Sequence, residues 1–238
     1  MSIFRALHSK TRQAFSVVHF GLLILRLAGP RVFLQKFNNQ LYGRTIFLVT
    51  TRRLDEPDFP SSFECVVSQA SPEEVEELFG EIHRESPIGR YDLLVRKWYH
   101  DQGFGDCYIT RASDTNEICN VRWLVTPEHI KQLGWEARFP LEDDEVMLEN
   151  VYTFERYRRK GVRTASASQA REIVKRRGFK RTKGYVGENN IQQLRLNQRE
   201  GTKVSARVLE RHFFFRVTRK TLEQYDPPVP ITIPGYDK

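Results

Sequence analysis

The chain has 238 residues, of which 39% are hydrophobic and 12% are aromatic. This apolar content is enough for a packed core and excludes a chain that is disordered throughout. The formal net charge of +8 favours anionic partners such as nucleic acid, anionic lipid or a phosphorylated cofactor.

The cysteines and histidines give no sign of a metal site. The three cysteines have neither zinc-ligand nor disulfide-framework spacing, which favours a reducing compartment, the cytoplasm. The six histidines are scattered, so we expect no metal ligand among them. Residues 15–25 form an apolar run that is too short to span a bilayer. We expect a helix packed on the core there, with peripheral membrane contact as the alternative.

The amino-terminal part is predicted to contain helices followed by a strand. Residues 2–39 have helical character, and residues 44–52 have the composition of a strand. Residues 54–62 contain two prolines and are predicted to be a linker. We therefore predict an amino-terminal extension, residues 1–60, and a main domain, residues 61–238.

The main domain alternates between strand and helix signals. Ser71 is the expected N-cap of its first helix, with Pro72 at the first helical position. This mixture predicts an α/β or α+β fold, in which helices pack on a mixed sheet. The predicted strands are residues 63–69, 106–112, 117–126, 145–154, 180–186 and one or two within 204–218. The predicted helices begin at residue 71 and span residues 93–99, 127–134, 162–177, which Gly178 ends, and 190–198.

The junction between the strand at residues 145–153 and the helix at residues 162–177 is basic. Residues 158–163 are Arg-Arg-Lys-Gly-Val-Arg, and residues 156–183 contain twelve Lys or Arg against one acid. The first N–H groups of a helix have no internal partners, so together with basic side chains they attract an anion. Gly161 has no Cβ and lets the backbone approach a ligand closely. The junction is therefore a candidate phosphate-binding site.

The residues around this junction resemble the acyl-CoA-binding core of the GNAT N-acetyltransferase superfamily. In that family a strand ends in a turn with the pattern Gln/Arg-x-x-Gly-x-Gly/Ala, and a helix follows. Residues 158–163 match it, except that Arg163 replaces the small residue. The resemblance covers residues 63–218, including a hairpin at residues 106–126. The later family positions for Asn, a small residue, Tyr and Gly-Phe hold Asn190, Gln193, Asn197 and Gly201-Thr202.

The resemblance implies a fold, a reaction and a donor site. The fold is a mostly antiparallel central sheet flanked by helices. The reaction moves an acyl group, which we expect to be acetyl, from acyl-CoA to a primary amine by direct attack. The family's splayed strand pairs with the pantetheine arm, and the turn binds the diphosphate. The expected donor-binding residues are Val151, Thr153, Arg158, Arg159, Lys160, Gly161, Val162, Arg163, Thr164 and Asn190.

Two side chains are candidates for proton transfer. A general base accelerates such reactions by about 10²–10⁴-fold. Glu149 is our candidate because in a regular strand it shares a face with Val151 and Thr153. In the family a helix tyrosine reprotonates the leaving thiolate, but that position holds Asn197, which is not a suitable proton donor. Tyr152 is the candidate replacement, with Tyr185 or water as alternatives.

Other functions stay open at this stage. Asn197 favours a non-catalytic module that only binds acyl-CoA. The basic run favours a nucleic-acid surface, although few aromatic residues accompany it, so a stacking platform for single strands is disfavoured. A further alternative keeps the chemistry but uses a longer acyl chain, carried by a protein, with the apolar amino-terminal segment near the lipid.

Overall fold

A mixed sheet of eight strands forms the centre of the protein in the computed structural model, which describes residues 21–213 and 216–233. The strands are β1 (Tyr42–Arg53), β2 (Cys65–Gln69), β3 (Asp106–Ala112), β4 (Ile118–Val125), β5 (Glu145–Thr153), β6 (Arg181–Gly187), β7 (Lys203–Phe213) and β8 (Arg216–Pro230). Their order across the sheet is β2-β3-β4-β5-β6-β1-β7-β8. Neighbouring strands are antiparallel except for β5 and β6, which are parallel. The predicted fold class is confirmed.

Helices cover both faces of this sheet. The helices are α1 (described over residues 21–27), α2 (Pro30–Leu41), α3 (Pro72–Gly80), α4 (Pro87–Asp101), α5 (Pro127–Leu133), α6 (Val162–Arg176) and α7 (Ile191–Arg199). Short 3-10 turns occupy Glu81–Arg84 and Glu155–Tyr157. None of the helices in the described part of the chain has the length and apolar content needed to cross a bilayer.

The two faces of the sheet have separate apolar clusters. On one face, Val174 of α6 shares a cluster with Leu124, and Leu194 of α7 shares another with Val186. On the other face, α3, α4 and α5 contribute to a cluster that contains Trp123. Trp123 and Leu124 belong to different faces because successive side chains of a strand alternate. Strand β4 is therefore buried along its whole length.

The local signals that predicted helix ends are confirmed. The Ser71 hydroxyl accepts a hydrogen bond from the Glu74 N–H, and the Glu74 carboxylate accepts one from the Ser71 N–H, which is a capping box. Gly178 has a φ of 93° just beyond the end of α6, where a left-handed residue closes the helix. Each of these helix ends is determined by a few consecutive residues, which explains why it could be predicted from the sequence.

The amino-terminal part contributes directly to the sheet. Strand β1 pairs with β6 on one side and β7 on the other, so the strand predicted in the extension is an interior strand. A boundary at residue 60 therefore does not separate this strand from the main sheet. Residues 1–20, which include most of the apolar run at 15–25, lie outside the described residues. Within the described part of that run, Ile24 is buried against the core.

The chain after β7 also differs from the prediction. Strand β8 forms one edge of the sheet, pairs antiparallel with β7 and extends to Pro230, well beyond the predicted strand at residues 204–218. It contains Pro227 and Pro228, which argue against a strand in a sequence. An edge strand tolerates proline because one of its sides needs no hydrogen-bond donors.

Candidate functional site

An opening separates β5 from β6 beyond their first residues. The paired residues are Glu145 with Arg181, Val146 with Thr182, and Met147 with Lys183. Beyond them, β5 continues to Thr153 and β6 to Gly187, and no further pair joins the two strands in the described structure. We call this opening the splay gap. It is the strand divergence that the family resemblance implied.

A bulge at Asn150 shapes the β5 side of the splay gap. Asn150 has a φ of 54°, and the β4–β5 register shifts between Val121, opposite Tyr152, and Trp123, opposite Glu149. The bulge puts Glu149 on the same face as Tyr152 and on the opposite face from Thr153. The prediction that Glu149 shares a face with Val151 and Thr153 is therefore wrong, because it assumed a regular strand.

The Arg96 side chain of α4 holds this bulge. Its guanidinium donates to the carbonyl of Asn150 at 2.8 Å from Nε and to that of Val151 at 2.7 Å from Nη2. The carbonyl of Thr153 likewise accepts from Arg158 Nε at 3.2 Å. The two carbonyls expected to pair with a pantetheine arm, those of Val151 and Thr153, thus already accept one bond each. A carbonyl oxygen has two lone pairs, so each retains one acceptor site.

Glu149 reaches across the splay gap. Its Oε1 accepts a hydrogen bond from the backbone N–H of Tyr185, at 3.1 Å, although the two strands no longer pair there. The side chain keeps some exposure to the gap, yet burial of its carboxylate raises the pKa of Glu149 to about 7. The N–H bonds from Tyr185 and Asn150 and the nearby Arg163 oppose that increase in pKa.

The first turn of α6 has unpartnered N–H groups. Gly161 is the N-cap residue, with a φ of 82°, and no side chain caps the helix. The N–H groups of Val162, Arg163 and Thr164 have no hydrogen-bond partner among residues 21–213 and 216–233. Arg159 also has a positive φ, 63°, and backbone with such left-handed residues commonly forms anion-binding loops. The junction therefore keeps the donors that an anion needs.

The basic side chains of the junction are exposed. Arg158 donates to the Thr153 carbonyl and lies near the carboxylate of Glu155, at 3.4 Å. The Lys160 ammonium lies over the ring of Tyr157, 5.3 Å from its centroid. Arg159 makes no ion pair with a described residue. These side chains are therefore available to screen an anion from the solvent side.

Residues of the predicted linker cover the junction. The Ser61 hydroxyl donates to the Gly161 carbonyl at 3.1 Å. A Cβ at Gly161 would come 3.0 Å from the hydroxyl oxygen of Ser61. Farther along α6, the Asp58 carboxylate accepts from Ser168 and Arg171. The sequence analysis missed these contacts because the two prolines indicated only an irregular segment.

A cavity of about 440 Å³ occupies the splay gap. It borders both faces of the sheet, since Tyr185 and Arg96 contribute from one side and α6 and α7 from the other. Of the predicted site residues, those lining the cavity are Glu149, Val151, Arg163 and Asn190. Those outside its lining are Tyr152, Thr153, Arg158, Arg159, Lys160, Gly161, Val162 and Thr164. The structure thus separates the predicted residues into a cavity group and a junction group.

Tyr152 faces away from this cavity. Its hydroxyl donates a short hydrogen bond to the buried Glu85 carboxylate, and a Cβ added at Gly89 would clash with that hydroxyl. By contrast, Tyr185 lines the cavity, and its buried hydroxyl has no hydrogen-bond partner among the described residues. Burial raises the pKa of both phenols. Of these two tyrosines, Tyr185 therefore has the hydroxyl that is not committed to a described partner.

The α7 side of the cavity is made of amides. Asn190 is the N-cap of α7, and its side chain accepts from the Gln193 N–H at 3.2 Å. Gln193 in turn donates to Asn197 Oδ1 at 2.5 Å. All three line the cavity. Asn197, at the position where the resemblance expects a tyrosine, is therefore oriented by the Gln193 amide.

Arg96 and Arg122 are cavity residues that the sequence analysis missed. Arg96 comes from α4 and Arg122 from the middle of β4, and neither position carries a local signal for a role in a site.

The fold of this chain recurs in solved structures. No protein-family model and no curated protein matches the sequence. A fungal multi-domain GH3 beta-N-acetylglucosaminidase that contains a GCN5-related glucosamine N-acetyltransferase region is 16% identical over 80% of this chain, with a TM-score of 0.53, and this chain spans 23% of its length. A GCN5-related N-acetyltransferase from Sphaerobacter thermophilus is 16% identical, with a TM-score of 0.46 over 81% of this chain and 57% of that chain. At these identities the similarity concerns the fold alone.

Proposed function

We propose that this chain, whose fold is that of the GCN5-related N-acetyltransferases, transfers an acyl group from acyl-CoA to a primary amine. Acetyl-CoA is the donor that we expect. The observation that carries the proposal is the splay gap, which contains a partly buried carboxylate and lies beside a helix whose first N–H groups are unpartnered. Bound acyl-CoA supplies an activated thioester, and the residues of the chain bind and orient it.

The junction is proposed to bind the donor's diphosphate. The N–H groups of Val162, Arg163 and Thr164 are the donors, and Arg158, Arg159 and Lys160 add positive charge from the solvent side. Hydrogen bonds to charged groups contribute about 1.5–3 kcal/mol each. Three such bonds are comparable to the roughly 7 kcal/mol that a dissociation constant of about 10 μM requires, before ordering costs. The free lone pairs of Val151 and Thr153, and the Asn190 side chain, are proposed to bind the rest of the donor.

Glu149 is proposed to act as the general base. A primary amine with a pKa near 10.4 is protonated at neutral pH and must lose a proton before it attacks. A base works best when its own pKa lies near the working pH, and burial raises the pKa of Glu149 to about 7. Glu149 then accepts the proton that the amine releases as the bond from nitrogen to the acyl carbon forms.

Tyr185 is proposed to donate the proton that the departing thiolate takes up. Its hydroxyl is buried and unpartnered in the described residues, its residue lines the cavity, and a phenol is protonated at neutral pH. Tyr152 was the earlier candidate, but its hydroxyl is committed to Glu85. The role therefore passes to the tyrosine next to the Glu149 carboxylate.

A second function, acyl-CoA binding without transfer, is favoured by one observation. Asn197 lines the cavity where the family has its proton-donating tyrosine, and an amide cannot supply that proton. A module of this kind binds the donor at the same junction but releases no thiol. The two functions therefore differ in turnover and not in the position of the donor.

The test is thiol release from acetyl-CoA in the presence of a panel of primary amines. We expect release with at least one amine, and a decrease of about 10²-fold in kcat for Glu149→Gln with little change in donor affinity. Glu172→Gln is the matched control, because Glu172 is exposed on α6 and lies outside the cavity lining. Donor binding without thiol release from any amine would favour the binding module. No binding of acetyl-CoA by the folded protein would contradict both functions.

A further inference from the structure

The cavity in the splay gap has more positive charges than carboxylates to pair with them. The cationic residues in its lining are Arg52, Arg96, Arg122, Arg163, Arg171 and Lys183. Half of them make ion pairs: Arg52 with Asp58, Arg171 with Asp58 and Glu200, and Lys183 with Glu145. In the described parts of the chain, Arg96, Arg122 and Arg163 make no ion pair with a carboxylate. These three arginines are the unpaired set.

Arg122 of the unpaired set is buried, Arg96 and Arg163 are partly buried, and the three lie close enough to repel one another. Arg122 is 2% exposed; its Nη2 donates to Ser166 at 2.7 Å, but its Nε has no partner among the described residues. The Arg163 side chain makes no hydrogen bond to a described residue. Burial lowers the pKa of both Arg96 and Arg122, and the positive charge of Arg163 lowers both further. A guanidinium stays charged at neutral pH, so the repulsion persists.

The two carboxylates in the cavity lining, Glu149 and Glu200, do not neutralise this set. Glu200 is bound to Arg171, at 3.3 Å, and Glu149 carries only part of a charge at neutral pH because its pKa is raised to about 7. Buried charges without partners are strongly unfavourable, and proteins normally pair them. A positively charged cavity of about 440 Å³ is large enough for the missing partner to be part of a ligand.

We propose that the cavity binds an anionic group of the ligand, a carboxylate or a phosphate, between Arg163 and Arg122. The inference deepens the proposed acyl transfer, on which the choice of CoA probes rests. Arg163 holds the position where the family pattern has a small residue, so the anion site is a feature of this chain. Because the diphosphate is assigned to the junction, outside the cavity, the source that fits is a carboxylate at the far end of the transferred acyl group, beside Glu149.

The direct test uses sodium succinate and sodium phosphate, with sodium chloride at matched ionic strength as the reference. We expect either anion to raise the melting temperature of the full-length protein in a saturable manner. Arg163→Gln should lose that increase, whereas Arg176→Gln, an exposed change of equal charge on the same helix, should keep it. No increase over chloride in the wild type, or an equal increase in Arg163→Gln, would overturn the inference.

Titration calorimetry with acetyl-CoA and succinyl-CoA then identifies the source of the anion. If the acyl group carries it, Arg163→Gln weakens succinyl-CoA about tenfold or more and acetyl-CoA by less than about threefold. Equal weakening of both thioesters would mean that Arg163 acts on the shared part of the donor, and it would overturn the assignment to the acyl group. If neither weakens while the free anions still bind, the assignment of the anion to the acyl group is overturned. Anion binding by a wild type that binds neither thioester would contradict the proposed acyl transfer and leave the anion site standing.

Discussion

Replacing Glu149 with Gln should stabilise the protein at alkaline pH while reducing its activity. Burial raises the folded-state pKa of this carboxyl from 4.5 to about 7. The folded protein therefore holds the Glu149 proton more tightly than the unfolded chain does, and stability decreases as pH rises between these two values. At about 1.36 kcal/mol per pH unit, the full cost above neutral pH is about 3 kcal/mol. A glutamine has the same shape, and its carbonyl oxygen can still accept the Tyr185 N–H.

Urea unfolding of both proteins, followed by tryptophan fluorescence across a pH series, measures this effect. We expect Glu149→Gln to be more stable by about 3 kcal/mol near pH 8, with the difference shrinking toward zero near pH 4. All other titrating groups are shared, so the difference between the two curves reports Glu149 alone. A wild type that is as stable as the variant near pH 8 would refute the claim that this carboxylate is desolvated at the splay gap.

Three further substitutions test the rest of the site. Gly161→Val introduces a Cβ 3.0 Å from the Ser61 hydroxyl, at a position where φ is 82°. The affinity for acetyl-CoA, measured by calorimetry, should therefore fall about tenfold or more. An unchanged affinity would reject the junction as the diphosphate site. Tyr185→Phe removes a buried hydroxyl that has no described partner, so the free energy of unfolding should hardly change. The kcat should fall about tenfold. An unaltered kcat would exclude Tyr185 as the proton donor. Arg96→Met removes the bonds to both bulge carbonyls, so kcat should fall about tenfold as Glu149 loses its position. A wild-type kcat would show that the bulge needs no support.

The features that sequence reasoning predicted correctly depend on neighbouring residues. The capping box at Ser71, the end of α6 at Gly178 and the glycine turn at Gly161 each need only a few consecutive residues. The position of β1 between β6 and β7 could not be predicted in this way, since an apolar strand pattern does not specify which strands it pairs with.

The geometry around Glu149 could not be predicted from the sequence, for a related reason. The bulge at Asn150 depends on Arg96, whose guanidinium bonds to a carbonyl 54 positions along the chain. A single extra residue in a strand exchanges the two faces for every side chain beyond it. The sequence identified Glu149 as a candidate base, but the prediction of which residues share its face was wrong. The unpaired arginines of the cavity come from distant parts of the chain, so only the folded structure shows them together.

A crystal structure of the protein with bound acetyl-CoA would test the central claim most directly. The account predicts phosphate oxygens about 3 Å from the N–H nitrogens of Val162, Arg163 and Thr164, with the thioester in the splay gap beside Glu149. A complex in which the diphosphate lies elsewhere, while these three N–H groups face only solvent, would contradict it.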